Sequence, residues 1–311
     1  MIVDVKSPAR LHLGLTELGG HFGRMYGGVG VGVEQPSCRV RVECWEGLEV
    51  DGHERDYVKT LAARLEKILA KRLTGRITVL ETIPAHVGLG SRTQLSLSVS
   101  TALCKANGLN PSTRLLAGAL GRGSVSGVGV AVFENGGFVV DMPKRKNSGR
   151  VSGFLRMSFP EEWAFAVAYP EREKGPSDEQ EAELFSRLPA MPDEKCASLS
   201  HLVMGKLLPA LAEKDAEEFG QALTELQKAI GSYFSQVQGG VYRRPEPLRI
   251  LEDCGALGLG QSSWGPAVYG FFSSFKDAEE AVSRTRERLG DGWVVFATKA
   301  DNNGAQTSVL P

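Results

Sequence analysis

The stretch Pro84-Ala-His-Val-Gly-Leu-Gly-Ser-Arg-Thr-Gln94 has the residue types of an anion-binding turn. Gly88 and Gly90 let the backbone approach a ligand. Ser91 stands where a helix would begin, beside N–H groups that have no partner inside that helix. Ser91 suits an ordinary N-cap as well. The surroundings favour the ligand. From Thr82 through Phe133 there is no Asp or Glu, while Arg92, Lys105, Arg114 and Arg122 are present. A glycine-rich helix start inside an acid-free, net-positive segment favours a phosphate-like group. Two more glycine-rich stretches, Gly19–Gly30 and Gly258–Pro266, point to further close backbone approaches.

The elements around these stretches alternate. Ile2–Val5 reads as a strand that continues into the apolar Pro8–Leu15, which carries Arg10 and His12. Arg39–Trp45 reads as a half-exposed strand. Tyr57–Leu73 has Leu61, Leu65, Ile68 and Leu69 at helical spacing, ended by Gly75. Arg76–Thr82 is a strand, and Leu95–Asn107 a helix that leaves the anchor loop. A short helix starts at Asn110-Pro-Ser-Thr and stops near Gly121. Val128–Phe133 and Phe138–Asp141 flank Asn135-Gly136-Gly137, the signature of a β-hairpin. The basic run Pro143–Arg150 is the boundary expected between an N-terminal domain (1–150) and a C-terminal domain (151–311). The second half reads as strand (Trp163–Tyr169), helices (Glu179–Leu188, Ser198–Glu213 bent at Pro209, Ala216–Tyr233, Pro247–Gly255), strand (Ala267–Phe272), helix (Asp277–Leu289) and a closing strand (Trp293–Thr298). That order suits a split βαβ sandwich of the ferredoxin-like kind.

Composition removes several classes of function. With 311 residues, 42% hydrophobic and 23% charged, the chain is that of a globular protein of one large or two ordinary domains. A net charge of −1 provides no footprint for nucleic acid or an anionic membrane. Met1–Arg10 reads as a strand and not a signal peptide, and no apolar run reaches membrane-spanning length. The five cysteines are scattered without C-x-x-C spacing, as in a cytoplasmic protein with reduced thiols and no zinc site.

The three glycine-rich stretches, in this order, resemble the GHMP kinase superfamily, whose phosphate loop reads P-x-x-x-G-L-G-S-S-A. The resemblance implies a two-domain α+β fold with the ligand between the domains. The kinase acids, however, are missing. Aligned on the glycine pair Gly136-Gly137, the superfamily's S-G-x-D-N places Gly129 and Val130 where its Asp and Asn stand, and Leu95–Asn107 holds no Glu for magnesium. A closer similarity runs through Pro8–Leu15, Gly23–Val31, Gly88–Gln94, Arg122–Gly129 and Gly260–Pro266, all similar to the beta-ribofuranosylaminobenzene 5'-phosphate synthase family. That resemblance implies a decarboxylating phosphoribosyl transfer on the same fold, joining 4-aminobenzoate or a similar aryl acid to phosphoribosyl diphosphate on the route to tetrahydromethanopterin. Arg92 departs from it, standing where the family's G-S-G-T-Q has its second glycine. An ATP-dependent small-molecule kinase and a non-catalytic phosphoribosyl-ligand sensor are the competing readings.

This chemistry asks for donors around a departing diphosphate. Gly88, Gly90, Ser91, Arg92, Thr93 and Gln94 are the expected binding residues, with Ser126, Ser262 and Ser263 for further phosphate contacts. Magnesium is expected to be held mainly by the substrate's own phosphates. Arg10 and Arg24 suit the aryl carboxylate. His12, two positions from Arg10, suits orientation of a substrate oxygen or a proton relay, and equally a core position. Tyr26 and Trp264 suit stacking on the ring, and equally the core. No metal ligand is identifiable, and the pocket is expected to gather pyrophosphate oxygens with main-chain amides and guanidinium groups while offering the nucleophile no carboxylate base. A homodimer is compatible with this sequence.

Overall fold

The computed structural model describes residues 1–146 and 153–311. The chain begins with strands β1 (Ile2–Glu17), β2 (Arg24–Glu43) and β3 (Leu48–Gly52), helix α1 (Arg55–Leu69), strand β4 (Gly75–Glu81) and helices α2 (Ser91–Ala106), α3 (Thr113–Ala119) and α4 (Val128–Asn135). Strands β5 (Phe138–Asp141), β6 (Lys144–Arg145), β7 (Phe154–Met157) and β8 (Ala164–Pro170) follow. Next come helices α5 (Asp178–Arg187), α6 (Asp193–Leu202), α7 (Leu208–Glu213), α8 (Ala216–Gln238) and α9 (Glu246–Asp253). The chain closes with β9 (Gly258–Gln261), β10 (Val268–Phe272), α10 (Phe275–Leu289), β11 (Trp293–Lys299) and β12 (Gln306–Leu310).

Two sheets result. The first has the order β12-β1-β2-β4-β3, with β5 and β6 pairing along the far part of β2 and β7 pairing with β5. The second has the order β11-β8-β10-β9 and is wholly antiparallel. With helices between β8 and β9 and between β10 and β11, the second unit is the expected ferredoxin-like βαββαβ arrangement. Sheet one also takes in β7 and β12, both from beyond residue 150. Part of the expected boundary run, residues 147–150, lies outside the described residues.

One apolar core spans both sheets. Phe159 bridges them: its ring centroid lies 6.4 Å from Phe138 of β5, 5.6 Å from Phe165 of β8 and 6.2 Å from Phe271 of β10. Buried aromatic pairs of this kind add about 0.5–1.5 kcal/mol each beyond their area.

Several sequence expectations need correction. Val128–Phe133 is a helix and not a strand. All six of these residues are buried, so the run lacks the periodicity that separates the two states. Asn135-Gly136 ends that helix instead of turning a hairpin, and Phe138–Asp141 pairs with β2 and β7. The helix expected over Ser198–Glu213 is α6, a π-helical turn at Val203–Leu207 and α7. Pro209, near the start of α7, has no N–H to continue the regular ladder. The glycine-rich Arg24–Gly32 region is part of one 20-residue strand. Its glycines admit neighbouring backbone and side chains: a Cβ on Gly28 would lie 2.5 Å from Ser126 Oγ, and one on Gly30 would lie 2.5 Å from Val128 Cγ1. β3 and β12 carry no clear signal in the sequence, being short and largely solvent-facing.

Candidate active site

The anchor loop delivers a bare helix start. The N-cap of α2 is Gly90, at φ +84°, and no side chain caps it. Ser91 is therefore the first helical residue and not the cap. The first-turn residues Ser91, Arg92 and Thr93 face a cavity of about 410 Å³ between the two sheets. Gly88, at φ +95°, is required by packing as much as by a ligand, since a Cβ there would lie 2.3 Å from the Ser262 carbonyl oxygen. Ser262 is fully buried and fastens the loops together. Its Oγ donates to the Gly88 carbonyl (2.6 Å) and accepts the His12 N–H (2.9 Å).

Cations surround this helix start. Arg10 is half-buried, with one guanidinium nitrogen on the Gly88 carbonyl and its buried Nε without a partner. Burial pulls its pKa down to about 10, and Glu181 opposes that shift. Arg122, from the loop after α3, donates to Asp178 (2.6 Å), and its Nε is also unpartnered. Buried guanidinium N–H groups left without acceptors suit an anionic ligand. His12 sits at an irregularity in β1–β2 pairing between His12 and Gly14, a device that re-aims a side chain. Its Nε2 lies 2.9 Å from Ser126 Oγ. Burial, then the Arg10 charge, lowers its pKa to about 3, so it is neutral at ordinary pH. The loop bearing Arg122 and Ser126 is pinned from beneath by two buried charges. Lys144 Nζ donates to the Gly123 carbonyl and lies 3.9 Å from Asp141, which accepts the Gly127 N–H (2.6 Å). Burial raises the Asp141 pKa, and Lys144 works against that rise.

The other end of the cavity is aromatic. Trp264 packs edge-on against Phe234 (4.8 Å) and Phe185 (5.3 Å), beside Leu15 and Ile230. Helix α5 spans both ends, placing Asp178, Glu181 and Phe185 on the cavity wall. Burial raises the Glu181 pKa to about 7, with Arg10 and Arg122 pulling it down and Asp178 pushing it up.

The family model "GHMP kinases C terminal" matches residues 207–291. A beta-ribofuranosylphenol 5'-phosphate synthase from Methanothermobacter thermautotrophicus is 33% identical, over 98% of this chain and 99% of its own. One from Archaeoglobus fulgidus is also 33% identical, over 99% and 100%. The chain belongs to the beta-ribofuranosylphenol 5'-phosphate synthase family. Among solved structures, a homoserine kinase from Cytophaga hutchinsonii superposes with TM-score 0.68 at 17% identity, covering 99% of this chain and 97% of the kinase. A mevalonate kinase does so with TM-score 0.68 at 14% identity, covering 96% and 99%. These two establish the GHMP fold for this member of the synthase family.

Within that fold, Arg10, His12, Gly88, Gly90, Ser91, Arg92, Thr93, Ser126, Ser263 and Trp264 are brought together on one cavity. Four expected residues stand elsewhere. Arg24, at the start of β2, donates to the Pro143 carbonyl (3.0 Å) and is not on the cavity wall. Tyr26 lies behind Phe185, edge-on at 6.1 Å. Gln94 points into the protein, donating to the Gly129 carbonyl. Ser262 serves the loop junction described above. Arg92 borders the cavity, yet its guanidinium pairs with Glu54 (2.7 Å) and lies over the Tyr57 ring (4.3 Å). Two carboxylates, Asp178 and Glu181, also line the cavity. Neither these nor Phe185 and Phe234 stand out in the sequence, because their helices read as ordinary amphipathic ones. Among the described residues, Glu17, His21 and Cys196 could offer one ligand atom each to a metal. Glu17 already accepts the Gly19 and Gly20 N–H groups (3.0 and 2.7 Å), and His21 Nε2 is 2.8 Å from the Met191 carbonyl. No described helix is long and apolar enough to cross a membrane.

Proposed function

We propose that this protein transfers a phosphoribosyl group from phosphoribosyl diphosphate to the ring of a para-substituted benzoate, releasing carbon dioxide and diphosphate. One observation carries the reading: a single cavity has a cationic end, built from the α2 start, Arg10 and Arg122, and an aromatic end built from Phe185, Phe234 and Trp264. The first suits diphosphate and the second an aryl ring. The relatives' names specify a ribofuranosylphenol product, so 4-hydroxybenzoate is the favoured acceptor and 4-aminobenzoate its amine counterpart. In the reaction the anomeric C–O bond breaks, its electron pair leaving with diphosphate. The ring carbon bonds to the anomeric carbon, and the ring–carboxyl bond then breaks, returning its pair to the ring. Arg10 is placed to hold an oxyanion beside the α2 start. Magnesium fits as a partner of the diphosphate, because Asp178 is already engaged by Arg122 and α2 carries no acid. Bound there, it would neutralise charge on the leaving group. A reducing, cytoplasmic setting fits five free cysteines.

The test supplies magnesium, phosphoribosyl diphosphate and carboxyl-labelled 4-hydroxybenzoate or 4-aminobenzoate. Labelled carbon dioxide and a ribosylated aryl product are expected with at least one acceptor. If neither acceptor releases label while phosphoribosyl diphosphate binds, the reading is wrong.

A further inference from the structure

Helix α5 runs along the cavity from its cationic to its aromatic end. Asp178, three residues before Glu181, pairs with Arg122. Phe185, four residues after it, joins the aromatic wall. Spacings of three and four place all three on one helix face. Glu181 therefore sits between the ends, at the level where a ribose must lie if diphosphate fills one end and an aryl ring the other. No hydrogen bond or ion pair satisfies its carboxylate among the described residues, although Arg10 and Arg122 both face it. An unpaired acid in an anion-binding cavity opposes substrate phosphates in the ground state, so packing or binding alone does not account for it.

We propose that the Glu181 carboxylate stabilises the positive charge that develops at the anomeric carbon as diphosphate departs. The inference rests on the phosphoribosyl-transfer reading and names a catalytic residue for it. Glu181 gains and loses no bond: the anomeric C–O pair leaves with diphosphate, and the cation is quenched by the ring carbon. A prearranged charge aimed at a transition state in a water-poor site is typically worth ~100-fold or more in rate. The groups facing Glu181 are Arg10 from β1, Arg122 from the loop after α3 and Asp178 on its own helix, with His12 neutral nearby. Only the ionised form can act, so kcat rises as pH increases through about 7.

The test compares wild type, Glu181→Gln and Glu181→Asp by steady-state kinetics from pH 5.5 to 9, with phosphoribosyl diphosphate binding followed by calorimetry. Glu181→Gln is expected to lower kcat ~100-fold, leave KM for phosphoribosyl diphosphate unchanged or lower, and abolish the acid limb. Glu181→Asp, which keeps the charge, is expected to retain the limb and part of the rate, even if the Gln variant folds poorly. A Gln variant within threefold of wild-type kcat, an acid limb that persists in it, or a loss confined to KM would overturn the proposal. An active wild type with any of these results leaves the transfer reading standing. An inactive wild type overturns both.

Discussion

Nε2 of His12 stands 2.9 Å from Oγ of Ser126, tying the irregular turn of β1 to the glycine-rich loop ahead of α4. Burial first, and Arg10 second, hold this imidazole neutral with a pKa of about 3. Its proton resonances are expected not to titrate between pH 5 and 8 by NMR, and a midpoint above 5 would contradict the assignment. The depressed pKa also has a consequence for stability. Below the unfolded value of about 6.5 the unfolded chain binds the extra proton, so this contribution is complete above that pH. It is lost as pH falls toward 3. His12→Asn is expected to flatten that part of the unfolding profile.

Gly88→Ala should be severe. The position has φ +95°, and the added Cβ would meet the Ser262 carbonyl oxygen at 2.3 Å. Backbone strain and a backbone clash together are expected to cost ~2–4 kcal/mol. Thermal unfolding measures the loss, and turnover should fall with it because Ser262 also fixes His12. A melting temperature within a degree of wild type would show that the loops are not locked together as described.

Arg92→Gly is expected to act on stability and not on substrate binding. The guanidinium is committed to Glu54 and the Tyr57 face. A partly exposed pair with a cation–π contact is worth about 1 kcal/mol. Affinity for phosphoribosyl diphosphate, measured by calorimetry, is expected to change less than about threefold, whereas a direct charged hydrogen bond would contribute about 1.5–3 kcal/mol. A tenfold loss would place Arg92 on the substrate.

Lys144→Met leaves Asp141 buried without its cation, which typically costs ~3–5 kcal/mol. The double variant with Asp141→Asn removes the stranded charge and is expected to recover a large part of that in denaturant unfolding. Absence of recovery would mean that the two residues act independently.

Local chemistry makes much of this cavity legible in the amino-acid sequence. The anchor loop and Ser262-Ser263-Trp264 stand out because tight turns and close approaches need glycine and short polar residues at fixed spacing. Arg10 and His12 are visible because charged and aromatic-nitrogen side chains are conspicuous on an apolar strand. Glu181 is not, since its only local signature is one acid among several in the first turns of α5. What sets it apart is the company of Arg10 and Arg122, distant in sequence. Arg24 is the converse case, with a suggestive sequence neighbourhood but a position off the cavity wall. The helical state of Val128–Asn135 is hidden for a related reason: burial on every side erases the pattern from which helix or strand is read.

β12 returns to pair antiparallel with β1, setting Leu310 opposite Ile2. The ferredoxin-like unit is thus an insertion spliced into the first sheet, attached by an outgoing and a returning segment. With two tethers and a shared core, opening the cleft requires both connections to flex in concert, and the two halves are expected to melt in one calorimetric transition.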